Sequence, residues 1–160
     1  MDIVSLLKIL YLSDRKCLIR RGRPIIGDRM VSMPHGPVLS RIYDQVKVGT
    51  EEGQDQAWSE YLCERQEHKV SLRQENPSTD ELSEYERGIL AEEHEQYKNF
   101  SFAQLKKLTH DLPEYHDPDG SSLPIDPTDI LREAGWSQED IREVLVDARQ
   151  EVFLHHALCK

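Results

Sequence analysis

Three cysteines in 160 residues, Cys17, Cys63 and Cys159, stand 46 and 96 positions apart with no C-x-x-C pair among them. An odd number at such spacing makes neither a disulfide framework nor a zinc ribbon, and a reduced, cytoplasmic setting is expected. Long apolar runs are also missing. The most apolar stretch, IVSLL, falls far short of the roughly 20 residues a membrane span requires, and no basic segment precedes an apolar one as a signal peptide would need. Neither a membrane nor an export route is expected. Hydrophobic residues make up 38% and charged residues 31%, yet Leu, Ile, Val and Tyr recur in patterned blocks, so the chain reads as folded and helix-rich. A domain of this length buries roughly 70% of its unfolded surface, enough for a core without staples. There is no internal repeat and no low-complexity tract, and a single domain over 1–160 is expected.

Positive charge is scarce overall and gathered at one end. Residues 1–50 carry nine Lys/Arg against four acids, 51–98 five against fourteen, and 99–160 six against twelve, for a net charge of −10. Such a balance repels nucleic acid unless a basic face is segregated, which only the first third, with RKCLIRRGR (Arg15 to Arg23), could provide. A nucleic-acid partner is not expected, because the acidic remainder can neutralise that face.

Helical spacing of Ile3, Leu6, Leu7, Leu10, Asp14 and Leu18 predicts a helix from Asp2 to Arg21, with Arg20 and Arg21 at its negative end and Gly22 as its cap. Pro24 blocks continuation. PIIGDRMVSM reads as two short strands meeting in a tight turn at Gly27-Asp28, and HKVSLRQ (68–74) as a third, half-exposed strand. Pro34-His35-Gly36-Pro37 forces a sharp strand-to-helix corner, with Pro37 opening a helix that carries Val38, Ile42 and Tyr43. An amphipathic helix is expected over Asp80 to Tyr97. Three later helices show N-caps with hydrophobic staples: Ser101 with Gln104, Asp126 followed by Pro127 and closed by Gly135, and Ser137 before Ile141, Val144, Leu145, Ala148 and Val152. Polar loops are read at 47–56, 75–80 and 117–124. The expected fold class is mainly α (α+β), five to six helices around a small two- to three-stranded antiparallel sheet.

Chemical signals are sparse. HEQYK at His94 lacks the second histidine of a zincin helix, and the adjacent His155 and His156 point to different helix faces. THDLPEYHDP gathers His110, Asp111, His116 and Asp117. Its spacing matches no zinc pattern, so it reads as a helix end with a protonated His110 on the dipole rather than a metal hydrolase. Gly22, Gly27 and Gly36 are too far apart for a phosphate loop, and no nucleophile elbow is present. No catalytic residue, metal or cofactor is expected.

The segments LLKILYLSDR (Leu6 to Arg15), GRPIIGDRMVSMPHGPVLSRIYD (Gly22 to Asp44) and LKKLTHDLPEY (Leu105 to Tyr115) together resemble the Panacea domain, the SocA-like antitoxins of bacterial and phage toxin–antitoxin systems. Two positions depart from the family's usual pattern: His35 in MPHGP, and Tyr115 about where a Trp is common. The resemblance implies an antitoxin, not an enzyme, that neutralises a cognate protein toxin by direct binding. Alternatives are an adaptor delivering the toxin to an ATP-dependent protease, or a DNA-binding autorepressor. A helix commonly precedes the first motif in the family, and a partner or a second copy, in a homodimer, would supply it here. An acidic surface suits an inhibitor whose target attracts phosphates. Where the resemblance is dense but the residues are polar, Asp28, His35, Thr109, His110, Asp111 and Tyr115 are expected to form the partner-binding surface, on turns shaped by Gly22, Pro24, Gly27, Pro34, Gly36 and Pro37.

Overall fold

A carboxylate starts the first helix. Asp2 accepts from the backbone N–H groups of Val4 (2.9 Å) and Ser5 (3.2 Å), and α1 runs Ile3–Arg21. Gly22 ends it in the left-handed region at φ +71°, its N–H donating to the Leu18 carbonyl at 2.8 Å. A Cβ here would lie 2.6 Å from Val144 Cγ2, so glycine serves both the backbone and the packing. The computed structural model describes residues 1–48, 60–63, 67–73 and 78–158, with side chains of the last helix up to 150. Of the loop expected over 47–56, residues 47 and 48 belong instead to the end of a helix and the rest lies outside the described residues, as do 75–77 of the loop expected over 75–80 and the side chains of Val152, His155, His156 and Cys159.

Of the two strands expected in PIIGDRMVSM, the second forms and the first does not. No strand forms over 24–29; the N–H groups of Ile25, Ile26 and Gly27 converge instead on the fully buried Asp14 carboxylate, at 3.0, 2.8 and 3.2 Å. A buried carboxylate must find donors, and this one takes the groups a ladder would have used. The hairpin forms one step later: β1 (Met30–Ser32) pairs antiparallel with β2 (Val38–Leu39) in the register Met30↔Leu39, and the Pro34 to Pro37 corner is its turn. Pro37 therefore precedes a strand rather than opening a helix, and α2 follows over Ser40–Val48. The 68–74 segment does not join the sheet. Within its described part, Lys69 bridges to Asp2 and Leu72 to Leu62, while buried Val70 packs with Ile3, Leu7, Val38 and Val46. The start of α1 thus claims it, with the Met1 ammonium donating to the Val70 carbonyl at 2.8 Å.

Helix α3 spans Glu84–Tyr97, beginning later than Asp80 because Ser83 and Glu86 form a reciprocal capping box. Helix α4 (Phe102–His110) starts with the same device, built from Ser101 and Gln104. The third strand, β3 (Leu123–Pro124), occupies the far edge of a β2-β1-β3 sheet, where a proline without an N–H is tolerated. Asp126 caps α5 (Pro127–Glu133), and Ser137 accepts from the Asp140 N–H at the start of α6 (Gln138–Leu158). Among the described residues this makes six helices and a three-stranded antiparallel sheet, the architecture expected from the sequence.

Helix α1 is central, since Ile9, Tyr11, Leu12 and Leu18 bury against α3, α4 and α5. Met30, Leu39, Leu105, Ile125, Ile130, Leu131 and Ile141 complete the same cluster, and each fully buried Leu or Ile contributes on the order of 1.5–3 kcal/mol. Among the described residues no helix is long and apolar enough to cross a membrane.

Candidate partner-binding face

The corner and the end of α4 meet over one glycine. Gly36 has φ +94°, and its N–H donates to the Met33 carbonyl at 2.8 Å. A Cβ there would stand 2.5 Å from Thr109 Oγ1, 2.9 Å from Lys8 Nζ and 3.2 Å from the His110 ring. Any side chain would push the hairpin off α1 and α4 together. Lys8 is 1% exposed, and Nζ donates to the Pro37 carbonyl at 2.8 Å. Burial, with the nearby Lys106 charge second, pulls its pKa down to about 7.

Helical spacing divides α4 into an inner and an outer face. Leu105 and Thr109, four apart, are buried, and Thr109 Oγ1 donates back to the Leu105 carbonyl at 2.8 Å. Phe102 is 46% exposed on the other side, its ring edge-on to exposed His35 with centroids 5.7 Å apart. His110 stacks on Tyr115 at 4.2 Å, and the Tyr115 hydroxyl donates to the Met33 carbonyl at 3.3 Å, closing the strip onto the hairpin. His110 Nε2 is buried without a hydrogen-bond partner among the described residues. Burial, then the charges of Lys106 and Lys8, hold this imidazole below its ordinary pKa, against a smaller pull from Asp117. The protonated His110 read from the sequence is thus corrected: two lysines and desolvation outweigh the helix dipole.

Four of the six expected contact residues, His35, Thr109, His110 and Tyr115, come together here, though Thr109 faces inward. Asp111 lies beside them in an exposed pair with Lys107 at 2.8 Å. Asp28 stands at the other end of the hairpin, its carboxylate accepting from the N–H groups of Arg41 (2.6 Å) and Ile42 (3.1 Å) at the start of α2. His116 and Asp117 are exposed, and among the described residues no three metal-ligating side chains come together.

Sequence reasoning missed a buried ionic network. Glu114 takes a bidentate bond from Arg15, 2.6 Å from Nε and 3.1 Å from Nη2, and a third from the Tyr11 hydroxyl at 2.8 Å. Burial favours protonation of Glu114, yet the Arg15 hydrogen bonds and charge hold its carboxyl below the usual range. Burial and the adjacent carboxylate push the Tyr11 hydroxyl up. Lys8, Tyr11 and Arg15 at i, i+3 and i+7 form a polar stripe inside an apolar helix, the one signal that could have revealed it.

A family model described as antitoxin SocA-like, Panacea domain, matches residues 6–115. The chain belongs to this family. No curated protein and no solved structure matches it. The Panacea match takes in most of α1, the hairpin and its corner, α4 and Tyr115, so every residue of the strip falls inside it. Beyond it, β3, α5 and α6 complete the sheet and the core.

Proposed function

We propose that the chain is an antitoxin that neutralises a protein toxin by direct binding through the corner face, in the cytoplasm, as one domain over 1–160 and without catalysis of its own. The observation that carries this reading is the strip His35–Phe102 and His110–Tyr115, two aromatic contacts held on rigid elements with a large apolar ring left in solvent. Exposed aromatics on a fixed scaffold are the usual anchors of protein interfaces. The shared core of the Panacea region with Ile125, Ile130, Leu131 and Ile141 supports the single-domain reading.

An operator-binding role receives less support. Arg15 is committed to Glu114, and Lys16 and Arg20 lie against Glu92 at 2.8 and 3.1 Å, so much of the basic first third is answered within the fold. Affinity for the toxin encoded by the adjoining gene, measured for Phe102→Ala and His35→Ala, tests the proposal. Phe102→Ala should weaken binding about thirtyfold with an unchanged melting midpoint. Wild-type affinity in both variants would place the toxin elsewhere.

A further inference from the structure

Two bases and a hydroxyl form the seat on which the corner rests. Gly36 comes so close to α1 and α4 that a Cβ on it would stand 2.9 Å from Lys8 Nζ and 3.2 Å from His110 Cδ2, so the amine and the imidazole meet at one point beneath the hairpin. Lys8 is 1% exposed, and the acceptor it reaches is the Pro37 carbonyl at 2.8 Å, a neutral peptide oxygen on the hairpin itself. His110 Nε2 is buried with no hydrogen-bond partner among the described residues. The third wall, Thr109 Oγ1, already donates to the Leu105 carbonyl at 2.8 Å. A neutral amine and a neutral ring fit such a seat, whereas an ammonium or an imidazolium there loses its water without gaining a carboxylate.

We propose that the joint between the hairpin corner and α1 and α4 is a proton-operated latch, closed while Lys8 and His110 are neutral and opened locally over residues 34–38 when they take up protons. The surrounding charges leave that sign unchanged. Lys106 on α4 and His35 on the corner add positive charge, while Asp117, the carboxylate acting on His110 from the loop after α4, is exposed and already accepts the Asp119 N–H at 3.1 Å. In the open form Lys8 regains its ordinary affinity for a proton, so opening takes up protons and is favoured as pH falls. With a closed-state pKa of about 7 against the ordinary 10.5, Lys8 alone should raise the open population about tenfold between pH 8 and 6, and His110 adds to it. Opening parts His35 from Phe102, so toxin affinity should fall along the same profile; this consequence rests on the docking face proposed above.

Hydrogen exchange of the full chain without toxin, corrected for the intrinsic pH dependence of amide exchange, reads the latch directly. At low urea the Gly36 and Val38 amides should exchange faster than core amides of α1 and depend less on urea, which marks a local opening. Their protection should fall about tenfold or more from pH 8 to 6, and Lys8→Met should remove most of that fall. Level protection across this range in the wild type would overturn the proposal. So would a urea dependence equal to that of the α1 core, since the corner would then open only with the whole chain. If the corner opens as expected but affinity for the toxin encoded by the adjoining gene changes with pH equally in wild type and Lys8→Met, the latch stands and the docking face falls.

Discussion

Helix α1 supplies cations to two patches of the molecule, and the two treat them in opposite ways. Toward its C-terminal end, Arg15 meets Glu114 in a buried, bidentate and triply bonded arrangement, and Lys16 and Arg20 lie against acids of α3. One turn from its start, Lys8 is buried deeper than Arg15 but has a peptide carbonyl in place of a carboxylate, with Lys106 and His110 crowding the same corner. Matched charge makes the first patch scaffold. Burial without a carboxylate makes the second sensitive to protons. The same comparison shows that part of the five excess positive charges of the first third is answered inside the fold by Glu92, Glu93 and Glu114.

Breaking the matched patch should have the largest effect. Glu114→Ala leaves the Arg15 guanidinium and the Tyr11 hydroxyl without their shared acceptor, and urea unfolding should show a loss of about 3–5 kcal/mol. A loss under about 1 kcal/mol would mean that water replaces the carboxylate and that the network is not structural. Because the folded Glu114 pKa lies below its unfolded value, its contribution is complete above the unfolded pKa and is lost as pH falls through the folded one. Acid unfolding of the wild type should therefore steepen below about pH 4.

Lys8 should show the opposite linkage. Its folded pKa of about 7 lies below the ordinary 10.5, so between those values the unfolded chain binds more protons and stability rises with pH. The slope should be about 1 kcal/mol per pH unit from pH 7.5 to 9.5, and Lys8→Met should abolish it. Parallel pH profiles for the two proteins would show that Lys8 stays charged and finds another partner.

The corner itself should be next in size. Gly36→Ala combines a left-handed backbone with a Cβ 2.5 Å from Thr109 Oγ1, and a loss of about 2–3 kcal/mol should appear as a lowered thermal midpoint. An unchanged midpoint would show that hairpin and α4 are not locked together. The smallest effect belongs to the exposed rim of the matched patch: Glu92→Gln should leave the midpoint indistinguishable from wild type, and a clear drop would show that Lys16 and Arg20 act as a network with Glu93.

Legibility in the sequence followed the range of the interactions. Helix starts at Asp2, Ser101, Asp126 and Ser137 were readable because a cap and the helix it starts are neighbours in the chain. The strand at Met30–Ser32 was readable but its partners were not, because Asp14 captures the 25–27 backbone from eleven to thirteen residues away and β3 arrives from position 123. Such choices depend on tertiary competition for the same N–H groups. At the site, His35, His110 and Tyr115 stood out as polar or aromatic residues near turns, but exposed Phe102 did not. A helical phenylalanine reads as core until its face is known.

Hydrogen exchange of the antitoxin, alone and with the toxin encoded by the adjoining gene, tests the central claim most directly. The account predicts that the toxin slows exchange at His35, Gly36 and the first turn of α4 around Phe102, and leaves Glu84–Tyr97 unchanged. Protection confined to Glu84–Tyr97, with the corner exchanging as in the free protein, would contradict it.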